Sequence, residues 1–135
     1  MIIDAHVHIG RFVAPWHSED SVADTITAAR KCGIDKLCVC SLGDDGYTLY
    51  PSPEQLRAAN DHVLEAIARF PNIILGYCYV SPQYPKESLE EIRRSVEDGP
   101  MVGIKLWVAR KASDDSVDVI LRAAARLNAP VLQHA

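Results

Sequence analysis

The chain has 135 residues, 48% hydrophobic and 24% charged, with 7 Gly and 8 Pro, the proportions of a folded globular domain rather than a disordered or fibrous chain. Fourteen basic against 18 acidic residues leave a net charge of -4, which argues against a nucleic-acid-binding surface, and no apolar run approaches the roughly 20 residues of a membrane span. Met1-Ile2-Ile3-Asp4 reaches an acidic residue at once, without the basic start and apolar stretch of an export signal. A cytoplasmic protein of one domain, residues 1–135, is therefore expected. Cys32, Cys38, Cys40 and Cys78 form no CxxC pair and read as reduced thiols.

Taken in chain order, the first predicted strand is Ile2–Ile9. A helix follows over Asp20–Cys32, with Val22, Ile26 and Ala29 on one face and a stop at Gly33. Strand Lys36–Leu42 comes next, then a helix over Pro53–Phe70 that repeats Leu56, Ala59, Val63, Ala66, Ile67 and Phe70 at helical spacing. Strand Asn72–Val80 leads into a helix over Lys86–Glu97, which gathers Leu89, Ile92 and Val96 and ends near Gly99-Pro100. The fourth strand is Met101–Val108. The last helix, Ser113–Leu127, opens on Ser113-Asp114-Asp115, good capping and dipole chemistry. Pro130–His134 is the fifth strand.

Most of these strand runs are apolar on both parities, as in a parallel sheet covered on both faces. Strict alternation of strand and helix means an α/β fold. The strands start at an average interval of about 32 residues, so eight such units would need roughly 256, close to the ~250 of a (β/α)8 barrel. The expected architecture is a partial TIM barrel with five parallel strands and four helices.

The strongest chemical signal is Asp4-Ala5-His6-Val7-His8-Ile9-Gly10. Residues two apart in a strand point the same way, so Asp4, His6 and His8 are expected on one face and Ile3, Ala5, Val7 and Ile9 on the other. Two imidazoles one strand-step apart can bind a single transition metal, for which zinc is the typical ion. Both lie near the C-terminal end of the strand, where barrel active sites form. His134, at the tip of the fifth strand, is positioned to supply a third nitrogen.

In Met101-Val102-Gly103-Ile104-Lys105-Leu106-Trp107, the aliphatic parity of Val102, Ile104, Leu106 and Val108 marks the helix-facing side. Lys105 then points inward with Gly103 and Trp107. A buried lysine is costly without a partner or a task. It could hold a substrate carboxylate, stabilise developing negative charge or bridge two metals as a carbamate, or else extend its ammonium to the rim. Cys38 and Cys40 share a face and read as small apolar core residues, with a thiolate–metal site as the sharper alternative. His62 is expected to be solvated, and Tyr77 and Tyr79 to line the core or a pocket. Gly43-Asp44-Asp45-Gly46 lacks the alternating ligands of a calcium loop.

These features, in this order, resemble the amidohydrolase superfamily, and most closely its amidohydrolase-related branch, which includes enzymes of the aminocarboxymuconate-semialdehyde decarboxylase type. The resemblance rests on IIDAHVHIG at the first strand, GIKLW at the fourth and PVLQHA at the fifth. It implies a (β/α)8 barrel whose divalent metal is held by the HxH pair, a strand-five His and a strand-eight Asp, with a further His on strand six. His6, His8 and His134 match the first three ligands. The strand-six and strand-eight residues have no counterpart here, so the chain is expected to be the N-terminal half of such a barrel.

The resemblance further implies that the loop after strand one, with Arg11, Trp16 and His17, shapes a substrate pocket together with Trp107, and that Lys105 serves catalysis by orienting an acidic substrate. The implied chemistry is metal-activated water attacking an amide, ester or lactone, with zinc as the expected ion. Non-oxidative decarboxylation at the same kind of site is the alternative. A third reading is an inactive half-barrel or binding module. The expected partner is a small molecule bearing a carboxylate, with self-association through exposed sheet edges and neither nucleic acid nor membrane.

Overall fold

A computed structural model of the chain describes residues 1–10, 20–43, 49–107, 110–111 and 113–134. Five strands, β1 (Ile3–Ile9), β2 (Lys36–Ser41), β3 (Ile74–Val80), β4 (Gly103–Leu106) and β5 (Val131–Gln133), pair in sequence order, every neighbour parallel. Between them run α1 (Ser21–Lys31), α2 (Pro53–Arg69), α3 (Pro85–Ile92) and α4 (Asp115–Leu127). The sheet curls into half of a barrel, as the spacing of the predicted strands implies. No helix among the described residues is long and apolar enough to cross a membrane.

Local chemistry fixes the helix ends close to their predicted places. The Asp20 carboxylate accepts the Ala23 N–H at 3.1 Å and caps α1, with Asp24 in the first turn and Arg30 and Lys31 in the last, each sign matched to the helix dipole. Ser52 and Gln55 form a reciprocal capping box at α2. Asp114 caps α4, which ends on left-handed Asn128. The third predicted helix runs to Glu97 as expected, but its last five residues, Arg93–Glu97, widen into a π-helical turn.

Alternation along the strands sorts side chains into two layers. Leu37, Val39, Ile74, Cys78, Val80, Ile104 and Leu106 form the main core with Val22, Ile26 and Ala29 of α1, Val63, Ala66 and Ile67 of α2, and Val117 and Ile120 of α4. The opposite face, inside the curl, carries Cys38, Cys40 and Tyr77 with Leu75 and Leu132 at its margin. Gly103 is required there. A Cβ at that position would overlap the Tyr77 ring and come within 2.9 Å of the Pro130 carbonyl.

One strand departs from simple alternation. In β1 the register runs Asp4↔Leu37 and then Val7↔Val39, three residues against two, a bulge at Ala5–His6. Asp4 and Val7 thus both take register positions opposite residues of the helix-side core. The expectation that Asp4, His6 and His8 occupy one uninterrupted face is corrected by this extra residue. The outer edge of β1 is also open, with Ile2 and Ile3 exposed.

Candidate metal centre

The strands end toward one rim of the half-barrel, and the chemically distinctive residues gather on its inner face. His6, in the β1 bulge, lies beside His8. Their Nε2 atoms lie 2.8 Å apart, with ring centroids at 4.8 Å and planes tilted by 57°. Asp4 accepts the His6 backbone N–H at 3.1 Å, so it secures the bulge that aims the imidazole. Cys40 stands directly across from His8 in the β1–β2 register. One donor atom from each of His6, His8 and Cys40 falls within 4.8 Å of the other two.

Lys105 completes the cluster from β4. It is inward, as the aliphatic parity of Ile104 and Leu106 requires, flanked in register by Tyr79 and Leu132. Its side chain is fully buried and its Nζ approaches His6 Nε2 to 3.4 Å. The rim reading of Lys105 is therefore wrong: the ammonium stays inside.

Electrostatics follow from this crowding of basic groups. Burial lowers the pKa of His8 to about 4, with further depression from His6, Lys105 and His134. His6 is lowered by partial burial, then by Lys105 and His134, against an opposing pull from Asp4. Burial lowers Lys105 as well, partly offset by Cys40, and raises the Cys40 thiol to about 12, which Lys105 opposes. At neutral pH both imidazoles are consequently uncharged, the protonation state in which their nitrogens can donate to a cation.

His134 sits at the same rim, its backbone N–H donating to the Leu106 carbonyl at 3.1 Å one step beyond β5. Its charge is felt by both His6 and His8. It is exposed and lies outside the tight donor group, whose third member is Cys40. Cys40 is buried in core packing with Cys38 and Tyr77, as its sequence context implies, and the β1–β2 register also sets it opposite His8. Trp107 is half-buried against Leu42, Leu56, Ala59 and Tyr79, just past β4. Arg11, Trp16 and His17 lie outside the described residues, and His62 is half-buried on α2 rather than solvated.

The donor set fits a divalent transition ion: neutral imidazole nitrogens and a sulfur are borderline-to-soft ligands of the kind such ions prefer.

No family model and no curated protein matches the chain. Solved structures do. A protein from Staphylococcus aureus assigned as an amidohydrolase superposes with a TM-score of 0.81 at 16% identity, over 98% of this chain and 47% of that one. A dihydroxybenzoic acid decarboxylase from Polaromonas, with bound manganese and the inhibitor 2-nitroresorcinol, gives 0.76 at 17% identity over 98% and 48%. For 5-carboxyvanillate decarboxylase from Novosphingobium aromaticivorans, complexed with manganese and a nitrobenzoic acid, the values are 0.70 and 24% over 87% and 39%. The chain shares the fold of part of each of these structures. It spans about half the length of the first two of these structures.

Proposed function

We propose that this chain contributes the first strands of a metal-dependent enzyme of the amidohydrolase type, with His6, His8 and His134 as metal-binding residues. The observation that carries the reading is the convergence of His6 and His8 Nε2 atoms 2.8 Å apart beside the buried ammonium of Lys105. A bound divalent ion, zinc being the ion expected from imidazole donors, would supply Lewis acidity and lower the pKa of its water. The residues of the chain do the rest. His6 and His8 present neutral nitrogens, Asp4 holds the bulge that aims His6, and Lys105 is set to bind and orient a carboxylate or another developing negative charge.

Hydrolysis of an amide, ester or lactone is the first reading. Decarboxylation of an aromatic carboxylate is the second, favoured by two of the solved neighbours being decarboxylases that hold manganese and a substrate-like ligand or inhibitor. In either reaction Lys105 and the rim residue Trp107 would contact the substrate, joined by Arg11, Trp16 and His17. The test pairs metal content with product identity. Elemental analysis of purified protein should find a stoichiometric divalent metal that His6→Ala abolishes; unchanged stoichiometry in the variant would remove the site. Turnover with the product identified, carbon dioxide against a hydrolysed acid, separates the two reactions.

A further inference from the structure

The inner face holds a donor that the metal-binding residues just proposed do not use. Cys40 is fully buried, is paired in register with His8, and shares with His6 and His8 a triangle of donor atoms no wider than 4.8 Å. Tetrahedral coordination with metal–nitrogen bonds of about 2.0–2.1 Å and a metal–sulfur bond of about 2.3 Å separates two nitrogens by about 3.3 Å and a nitrogen from a sulfur by about 3.6 Å. The observed nitrogen separation of 2.8 Å needs to open by about half an ångström, and the widest separation of 4.8 Å to close by about 1.2 Å at most. Rotamer adjustment of two imidazoles and a thiol covers that range.

Charge balance points the same way. A divalent cation here would sit beside Lys105, which is buried and 3.4 Å from His6 Nε2. Of the three donors in the triangle, two are neutral imidazoles and only the cysteine can become an anion.

We infer that Cys40 is a metal ligand of this site, binding as the thiolate alongside His6 and His8 and biasing the centre toward zinc-like ions over manganese. The inference rests on the metal reading above and deepens it. When the ion binds, the S–H bond breaks, a sulfur–metal bond forms and the proton leaves to solvent. Thiolate is a soft donor that manganese, an ion suited to oxygen ligands, uses poorly. The centre should therefore differ in metal preference from the manganese-holding decarboxylases whose fold it shares.

X-ray absorption at the zinc edge tests this on the zinc-loaded chain, with cobalt(II) substitution as a second readout. The expected result is one sulfur scatterer at about 2.3 Å and a sulfur-to-cobalt charge-transfer band, both lost in Cys40→Ser and both kept in Cys38→Ser. Zinc should outcompete manganese in the wild type, and by at least tenfold less in Cys40→Ser. A shell of nitrogen and oxygen alone in the wild type overturns the inference, whether or not the variant folds. So does a sulfur shell that survives Cys40→Ser. Failure of the wild type to bind zinc, cobalt or manganese at all overturns the metal reading, and this inference with it.

Discussion

Two of the polar clusters among the described residues are built on opposite principles. The first lies between α2, α3 and β3. Asn60, fully buried, donates from Nδ2 to the Tyr79 carbonyl and to Glu91 Oε2, both at 3.0 Å, and accepts the Tyr79 N–H at 2.7 Å. Glu91 in turn receives Arg94 at 2.7 and 3.1 Å and Arg57 at 3.2 Å, while Arg94 reaches Asp61 at 2.6 Å. Charges there alternate in sign and each group finds its complement; Glu91 raises the pKa of Arg94.

The second cluster, His6, His8, Cys40 and Lys105, gathers three basic groups whose pKa values burial lowers, with repulsion from Lys105 and the neighbouring imidazoles adding to it at His6 and His8. A cluster that satisfies itself stabilises the fold. One whose members disfavour one another's charge is poised to receive something else.

The sharpest way to break this contrast is to damage the satisfied cluster. Asn60→Ala leaves both backbone groups of Tyr79 without their side-chain partner and takes a donor from buried Glu91. The expected cost is on the order of 3 kcal/mol, since stranded buried polar groups carry their full desolvation penalty. Urea unfolding measures it. Metal stoichiometry in the folded variant should be unchanged. A loss below about 1 kcal/mol, or a folded variant that no longer binds metal, would mean the two clusters are not separate in role.

The opposite result is expected at Lys105. Lys105→Met replaces a buried ammonium, whose pKa burial already lowers, with an apolar side chain of similar length. Stability should rise by about 1 kcal/mol, because an unfavourable desolvation disappears, while the turnover proposed above falls. This is the trade between stability and function expected where a site is held at the expense of the fold. A destabilisation of more than about 1 kcal/mol in urea would place Lys105 with the structural cluster instead.

The contrast was unevenly legible in the sequence. Alternating apolar parity in Val102, Ile104 and Leu106 was enough to turn Lys105 inward, and two-residue spacing was enough to bring His6 and His8 together. Periodicity carries no information about an extra residue inside a strand, so the Ala5–His6 bulge and the departure of Asp4 from the shared face were invisible. Nor does it fix the register between strands. Cys40 could be given a face, but its position opposite His8 depends on how β1 and β2 slide against each other. Asn60, in an amphipathic helix, reads as an ordinary polar residue; only packing of α2 over β3 makes it a buried bridge. Likewise, Glu91 and Arg94 read as a solvated pair until the network around them is seen.

The smallest predicted effect separates the inner-face cluster from the surface ion pairs by pH. The pKa of His8 is lowered from 6.5 to about 4 in the native chain, so as pH falls the unfolded chain takes up a proton that the folded state refuses. Metal-free stability should be level above about pH 7 and decline as pH drops from about 6.5 toward 4, where the native imidazole finally protonates. The carboxylates of Asp20 and Glu97 behave differently. Hydrogen bonds from Arg69 and Arg126 hold their pKa values below the ordinary carboxylate range, so their contribution is present at neutral pH and lost only in stronger acid. His8→Leu should flatten the first decline and leave the second in place. Lys105→Met should move the His8 titration upward, since the lysine charge is one cause of its depression. Imidazole proton shifts followed by NMR read both changes. A His8 titration near 6.5 in the wild type would show that the inner face is well solvated and that its crowding of basic groups has no energetic consequence.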